Sequence, residues 1–171
     1  MKLHIEEISE KTLPDAVRIW NRVVEDGVAY PQEEFLDAES GAAFFGEQSF
    51  TGVAVDEDSG SAVGLYILHP NNVGRCGHIA NASYAADADL RGQGIGKALV
   101  RHSLRKGAEL GFRILQFNAV VAANTRALAL YRKLGFTQLG VIPNGFRMKD
   151  GHYEDIIPHY IELTGTAGMD A

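Results

Sequence analysis

Apolar positions change their period several times along the chain, and the changes outline its elements. Leu3, Ile5 and Ile8 predict a strand over 2–9. Thr12 then precedes Pro14 and Asp15, the composition of a helix start, and Val17, Trp20 and Val24 lie along one helical face. The stretch from Glu25 to Gly46 is acidic and less regular, with a short helix expected over Gln32–Phe45. Phe50–Val55 and Ala62–Leu68 read as strands around the turn-forming run Asp56-Glu57-Asp58-Ser59-Gly60. A third strand, His78–Ala86, follows the loop Pro70–Gly77. Gly94–Leu110 predicts a helix ended at Gly111, and Ile114–Val121 an apolar central strand. Asn124 opens a second helix with Ala127, Leu130, Tyr131 and Leu134 on one face, stopped by Gly135. Strands near Thr137–Val141 and Asp155–Leu163 flank a polar loop. This order predicts an α/β or α+β sandwich with a mixed sheet. No repeat or linker interrupts it, so residues 1–163 read as one domain and Thr164–Ala171 as a short, loose tail.

Composition narrows the class. A chain of 171 residues buries a core without staples. Its single cysteine, Cys76, rules out an internal disulfide framework or a multi-cysteine zinc site, and no metal is expected. A net charge of −6 argues against general binding to nucleic acid or to an anionic membrane. The start, Met1-Lys2-Leu3-His4-Ile5-Glu6-Glu7, lacks a signal-like apolar run, and nothing approaches a membrane span; the expected location is the cytoplasm.

The 19 glycines prompt a search for clusters, and one stands out: Arg91-Gly92-Gln93-Gly94-Ile95-Gly96-Lys97, between a predicted strand and a predicted helix. Glycines there allow a tight turn and present successive N–H groups at a helix N-terminus, which suits a diphosphate. The alternative is a turn needed only for packing. The dinucleotide pattern fails at Lys97 and Leu99, and the P-loop pattern fails at Arg91 and Ala98.

The pattern that fits is R-x-x-G-x-G, here Arg91, Gly94 and Gly96. It resembles the acetyl-CoA loop of the GCN5-related N-acetyltransferase (GNAT) superfamily, and Asn124, Tyr131 and Gly135-Phe136 resemble that family's next helix and strand. The likeness covers roughly 2–163, most specifically 78–136. It implies a mixed, splayed central sheet of six to seven strands flanked by about four helices. It also implies acetyl-CoA as co-substrate. The pantetheine arm would pair with the backbone of Tyr84, Ala85 and Ala86. The diphosphate would meet the amides of Gly92, Gln93, Gly94, Ile95, Gly96 and Lys97, with Arg91 opening the turn and Asn124 also on the cofactor.

Acetyl transfer to an amine requires a neutral amine, a donor for the developing oxyanion and a proton for the departing thiolate. Tyr131 is the family-matched proton donor; seven residues separate it from Asn124, nearly one helical face. The alternative is a core aromatic. The base is open: relatives often carry Glu or His where Ala80 and Ala82 stand here. His78, Glu25, Asp26, Glu33, Glu34, a water relay or an amine that binds already neutral are the candidates.

Asn81 and Asn118 stand in strands, where asparagine is a poor fit. The runs H-I-x-N and F-N-x-V-x-x-x-N are similar to fungal enzymes of this superfamily that acetylate cyclic imino acids, which implies substrate-binding roles for both. Backbone-satisfied structural asparagines are the alternative. Alternation puts Asn81 and Ala80 on opposite faces, unless a bulge in this strand shifts the phase. Arg147 is a candidate partner for an acceptor carboxylate and Tyr153 for a pocket wall; a solvated turn is the competing reading.

The reading is an acetyl-CoA-dependent N-acetyltransferase acting on a small-molecule amine, an amino or imino acid, by direct transfer in a ternary complex, with room for a homodimer. No cysteine stands in the matched catalytic region to carry an acyl group. The alternatives are a non-catalytic acyl-CoA-binding or regulatory module, and acetylation of a protein N-terminus or lysine.

Overall fold

Three antiparallel strands form the middle of the sheet: β2 (Phe50–Asp56), β3 (Ala62–Pro70) and β4 (Ile79–Ala86). They lie beside β1 (Leu3–Glu7) in a computed structural model that describes residues 1–165. β3 is buried through seven successive residues because helices cover both of its faces. On one face α1 (Leu13–Asp26) and α2 (Ala38–Gly46) seat Trp20 and Phe45 against Val53, Leu65 and Ile67. On the other, α3 (Ile95–Glu109) and α4 (Thr125–Lys133) seat Leu99, Leu104 and Leu130 against Tyr66, Leu68, Ala82 and Phe117.

The sheet continues through β5 (Ile114–Val121) to β8 (Tyr153–Glu162), whose outer edge carries β6 (Thr137–Gln138) and β7 (Ile142–Arg147). The strand order is β1-β2-β3-β4-β5-β8-β6, with β7 also on β8. Among the described residues the sheet has eight strands, one beyond the expected count of about six to seven, and the expected four helices flank it. The extra strand is β7, inside the segment expected to be a polar loop. Pro143, Asn144 and Gly145 are poor strand formers, and an irregular register between Ile142 and Phe146 absorbs them. β6 stops short of Val141 because Pro158 on its partner has no N–H to extend the ladder.

Two helix starts differ from expectation. Thr12 sits at the N-cap position of α1, but its hydroxyl turns back to Ser9, accepting from the Ser9 N–H at 3.0 Å. The second helix begins at Ala38 rather than Gln32, where Asp37 and Ser40 cap each other reciprocally. Residues 32–37 are instead pinned to α1 by Asn21, which donates to the Leu36 carbonyl at 2.8 Å and accepts from its N–H at 2.9 Å. Of the expected tail, Thr164 and Gly165 fall within the description and 166–171 lie outside the described residues.

The sheet is mixed at one place only. β4 and β5 run parallel and pair at just two positions, Ile79 with Ile114 and Ala80 with Leu115. Beyond them the strands diverge while each keeps its other neighbour: β4 pairs with β3 as far as Ala86, and β5 with β8 as far as Val121. A wedge-shaped gap opens between them.

Candidate active site

The gap is a cleft of about 180 Å³, lined along β4 by Asn81–Tyr84 and along β5 by Phe117–Val121. Asn124 and Tyr131 of α4 close one side, and Ala29, Tyr30 and Pro31 the other. Asn81 marks its apex, where the side-chain amide donates to the Gln116 carbonyl at 3.0 Å. From there to Ala86 the β4 edge that faces β5 has no strand partner. Tyr84, Ala85 and Ala86 lie on this stretch, at the end away from the apex.

The register of β4 on β3 is continuous, so no bulge shifts its phase. Ala80 and Ala82 pack into the α3–α4 core, and Asn81 and Ser83 face the α1–α2 side. The irregularity lies in β5 instead. Phe117 opposes His159 and Val120 opposes Ile157, so Asn118 and Ala119 share one position opposite Pro158. Asn118 lines the cleft from this bulge, exposed, accepting from Gln116 at 3.1 Å and donating to Asn71 at 2.6 Å.

The glycine loop takes the expected form. Gly92 and Gly94 have φ of +84° and +81°, and a side chain added at either meets nothing within 4 Å. They are glycine for conformation and for an open surface. Gly94 is the residue that caps α3; the first helical bond runs from the Ala98 N–H to the Gly94 carbonyl, which leaves the first-turn amides of Ile95, Gly96 and Lys97 to the loop surface. Ahead of the loop, Asp87 caps a short turn and is held by the Arg18 guanidinium at 3.0 Å, fixing the loop to α1. Asn124 caps α4, accepting from the Ala127 N–H at 3.2 Å, and faces the cleft two turns before Tyr131.

Four tyrosine phenols surround this region, Tyr30 and Tyr66 buried and Tyr84 and Tyr131 half-buried, and they differ in partners. Tyr66 reaches His102 at 2.8 Å and Tyr84 reaches Ser103 at 2.7 Å. Tyr131 packs between Phe117 and Phe136, and no hydrogen bond to its hydroxyl occurs among the described residues. Burial pushes the Tyr131 phenol well above its ordinary value. Burial likewise raises Tyr30 and Tyr84, with the nearby Tyr131 phenol adding to both. The cleft is lined by no Asp, Glu, His, Lys or Arg side chain among the described residues. It presents neutral groups throughout, which suits a ligand that must react as a neutral amine.

The candidate bases do not reach it. His78 is exposed at the start of β4, and Glu33 pairs with Arg147 at 2.5 Å. Arg147 and Glu33 line a second pocket, which shares Tyr30 and Pro31 with the cleft and is walled by Phe146 and Met148. Lys149 ties the β7–β8 hairpin down, through Nζ to the Glu25 carbonyl at 2.6 Å and its N–H to that of Gly27 at 3.0 Å. Tyr153 is not brought in: it is 57% exposed and lines neither pocket. Cys76 is exposed in the turn before β4.

Sequence reasoning overlooked Tyr30, whose ring packs on Trp20 at 4.5 Å. Its signal was the following Pro31, which restricts Tyr30 to extended backbone inside an otherwise patternless stretch.

Comparison with known proteins agrees with this geometry. Residues 14–136 match the Acetyltransferase (GNAT) family. N-acetyltransferase aca1 of Schizosaccharomyces pombe is 36% identical over 101 residues, 59% of this chain. The match spans 47% of that relative's length. A GCN5-related N-acetyltransferase from Kribbella flavida superposes with a TM-score of 0.85 at 30% identity, covering 94% of this chain and 97% of that one. A phosphinothricin acetyltransferase from Sinorhizobium meliloti, in complex with AcCoA, shares the fold with a TM-score of 0.86 at 24% identity, covering 95% and 89%.

Proposed function

The chain belongs to the acetyltransferase (GNAT) family, and from that premise we propose that it transfers acetyl from acetyl-CoA to the amine of an amino or imino acid, directly, in a ternary complex. The observation that carries this reading is the gap between β4 and β5, an unpaired strand edge leading from an open glycine cradle to a cleft that holds Tyr131. These residues fit the cofactor. The amides of Gly92–Lys97 and Arg91 suit a diphosphate, the free edge of β4 suits an amide-bearing arm, and Asn124 lines the cleft with that edge. Acetyl-CoA supplies the acetyl group as a thioester.

In this mechanism Asn81 and Ser83 orient the amine at the apex of the cleft. As its nitrogen bonds to the acetyl carbon and the carbon–sulfur bond breaks, Tyr131 gives its proton to the departing sulfur. The phenol is protonated across the working pH range because burial disfavours the phenolate. The amine's own proton leaves to water, since the lining offers no carboxylate or imidazole to take it, and water returns a proton to the Tyr131 phenolate to complete the cycle.

A small acceptor is favoured over a protein chain because residues 25–33 are tied to the β7–β8 hairpin by Arg147–Glu33 and by Lys149, narrowing the acceptor side. Thermal shift and thiol release test the reading. Acetyl-CoA at 100 times its Kd should stabilise the protein by about 2.7 kcal/mol, with no comparable effect from NAD or ATP. Thiol release should require an added amino or imino acid. No shift with acetyl-CoA removes the cofactor assignment. Release with lysine-bearing or N-terminal peptides alone moves the acceptor to proteins.

A further inference from the structure

Among the described residues, two buried side-chain polar atoms lack a hydrogen-bond partner, the Tyr30 hydroxyl and His159 Nε2. Both residues neighbour Tyr131, but only Tyr30 lines the cleft. Its orphan state is not general to the phenols here, since Tyr66 and Tyr84 are both satisfied and the Tyr131 hydroxyl, which also has no partner among the described residues, is not fully buried. The ring is also held in place. Tyr30 is 7% exposed and packed on Trp20, its backbone is restricted by Pro31, and its segment is pinned by Asn21 to Leu36. A buried donor held rigidly without a partner destabilises the free protein. It is retained where a ligand completes it.

The position indicates which ligand atom does so. Tyr30 belongs to the α1–α2 side of the sheet, with Asn81 and Ser83 across the cleft, and stands where the cleft meets the second pocket. The Asn81 amide nitrogen is engaged with the Gln116 carbonyl, which leaves its Oδ1 as an acceptor. The cleft therefore offers an acceptor at its apex and a neutral donor on its wall, while the two cations of the second pocket, Arg147 and Lys149, are engaged with Glu33 and the Glu25 carbonyl. We propose that Tyr30 donates a hydrogen bond to the carboxylate of the acceptor, holding the amine beside it against Asn81, so that the enzyme selects amines bearing an adjacent carboxylate. This rests on the acceptor reading given above.

Tyr30→Phe tests it with two readouts. First, the melting temperature of the ligand-free protein should hold or rise, because the variant removes an unsatisfied buried group; a clear fall would make Tyr30 structural and overturn the proposal. Second, acetylation of proline and of pyrrolidine, the same ring without the carboxylate, should be compared. The ratio of kcat/KM for proline over pyrrolidine should drop roughly 10–100-fold in the variant, mainly through the KM for proline. Equal losses on both amines, carried by kcat, would assign the hydroxyl to the reacting carbonyl instead and overturn the proposal. A wild type that acetylates pyrrolidine but no amino or imino acid overturns the carboxylate assignment alone. A wild type that acetylates neither removes the acceptor reading beneath it as well.

Discussion

The two sides of the gap between β4 and β5 are built by different means. On the α3–α4 side the parts are near in sequence: Arg91 to Lys97 run straight into α3, and Asn124 and Tyr131 share one face of α4. Each works through a local property, a positive φ, a helix start or a seven-residue spacing. On the α1–α2 side the parts come from distant places. Tyr30 follows α1, Asn81 sits in mid-sheet, Asn118 in a bulge of β5, and Arg147 on a hairpin held by Glu33, 114 residues away. On the proposed function, the difference separates a side that handles one constant cofactor from a side that must fit a particular acceptor. Changes on the first should therefore affect every acceptor alike, and changes on the second should discriminate among acceptors.

The sharpest test is Tyr131→Phe, which keeps the ring among Phe117 and Phe136 and removes only the proton. It should lower kcat by about 10²-fold for all acceptors, with acetyl-CoA affinity nearly unchanged. A loss that varies with the acceptor would blur the two sides. Gly94→Val comes next. A β-branched residue at φ +81° is strained, and its methyls intrude on the open loop surface, so acetyl-CoA affinity measured by titration should fall at least tenfold while the protein still folds. Normal binding would make the loop a packing turn.

On the other side, Asn81→Ala should cost about 1–3 kcal/mol in acceptor kcat/KM, since it also leaves the Gln116 carbonyl without its donor. Asn118→Ala, at an exposed position, should cost less; the reverse ranking would move the acceptor from the apex to the bulge. The smallest effect belongs to Arg147→Ala. An exposed ion pair contributes little to stability, so the melting temperature should barely move, while release of Glu33 widens the second pocket and should admit bulkier amines. Steady-state kinetics on an acceptor series would show it, and an unchanged size preference would remove the pair from the acceptor side.

What could be read from the chain divides along the same line. The order of strands and helices, the glycine loop, and the pairing of Asn124 with Tyr131 follow from local rules, in which period, caps and φ preference act within a few residues. Their limits were local as well. Thr12 looks like a cap but prefers Ser9, and Pro143-Asn144-Gly145 looks like a loop but is held as a strand by β8.

Only the tertiary structure decided where β4 parts from β5, since divergence depends on two strands each holding a different neighbour more completely than they hold one another. It also decided the phase of Asn81. The bulge that would have turned it inward lies in β5, where Asn118 and Ala119 share one position opposite Pro158. Arg147 could be recognised from sequence as a cation seeking a carboxylate, but not as one already facing Glu33. Tyr30 had no readable role at all. A lone tyrosine in an irregular acidic stretch acquires meaning only when packing seals its hydroxyl against a cleft and supplies no partner, and that is a property of everything around the residue.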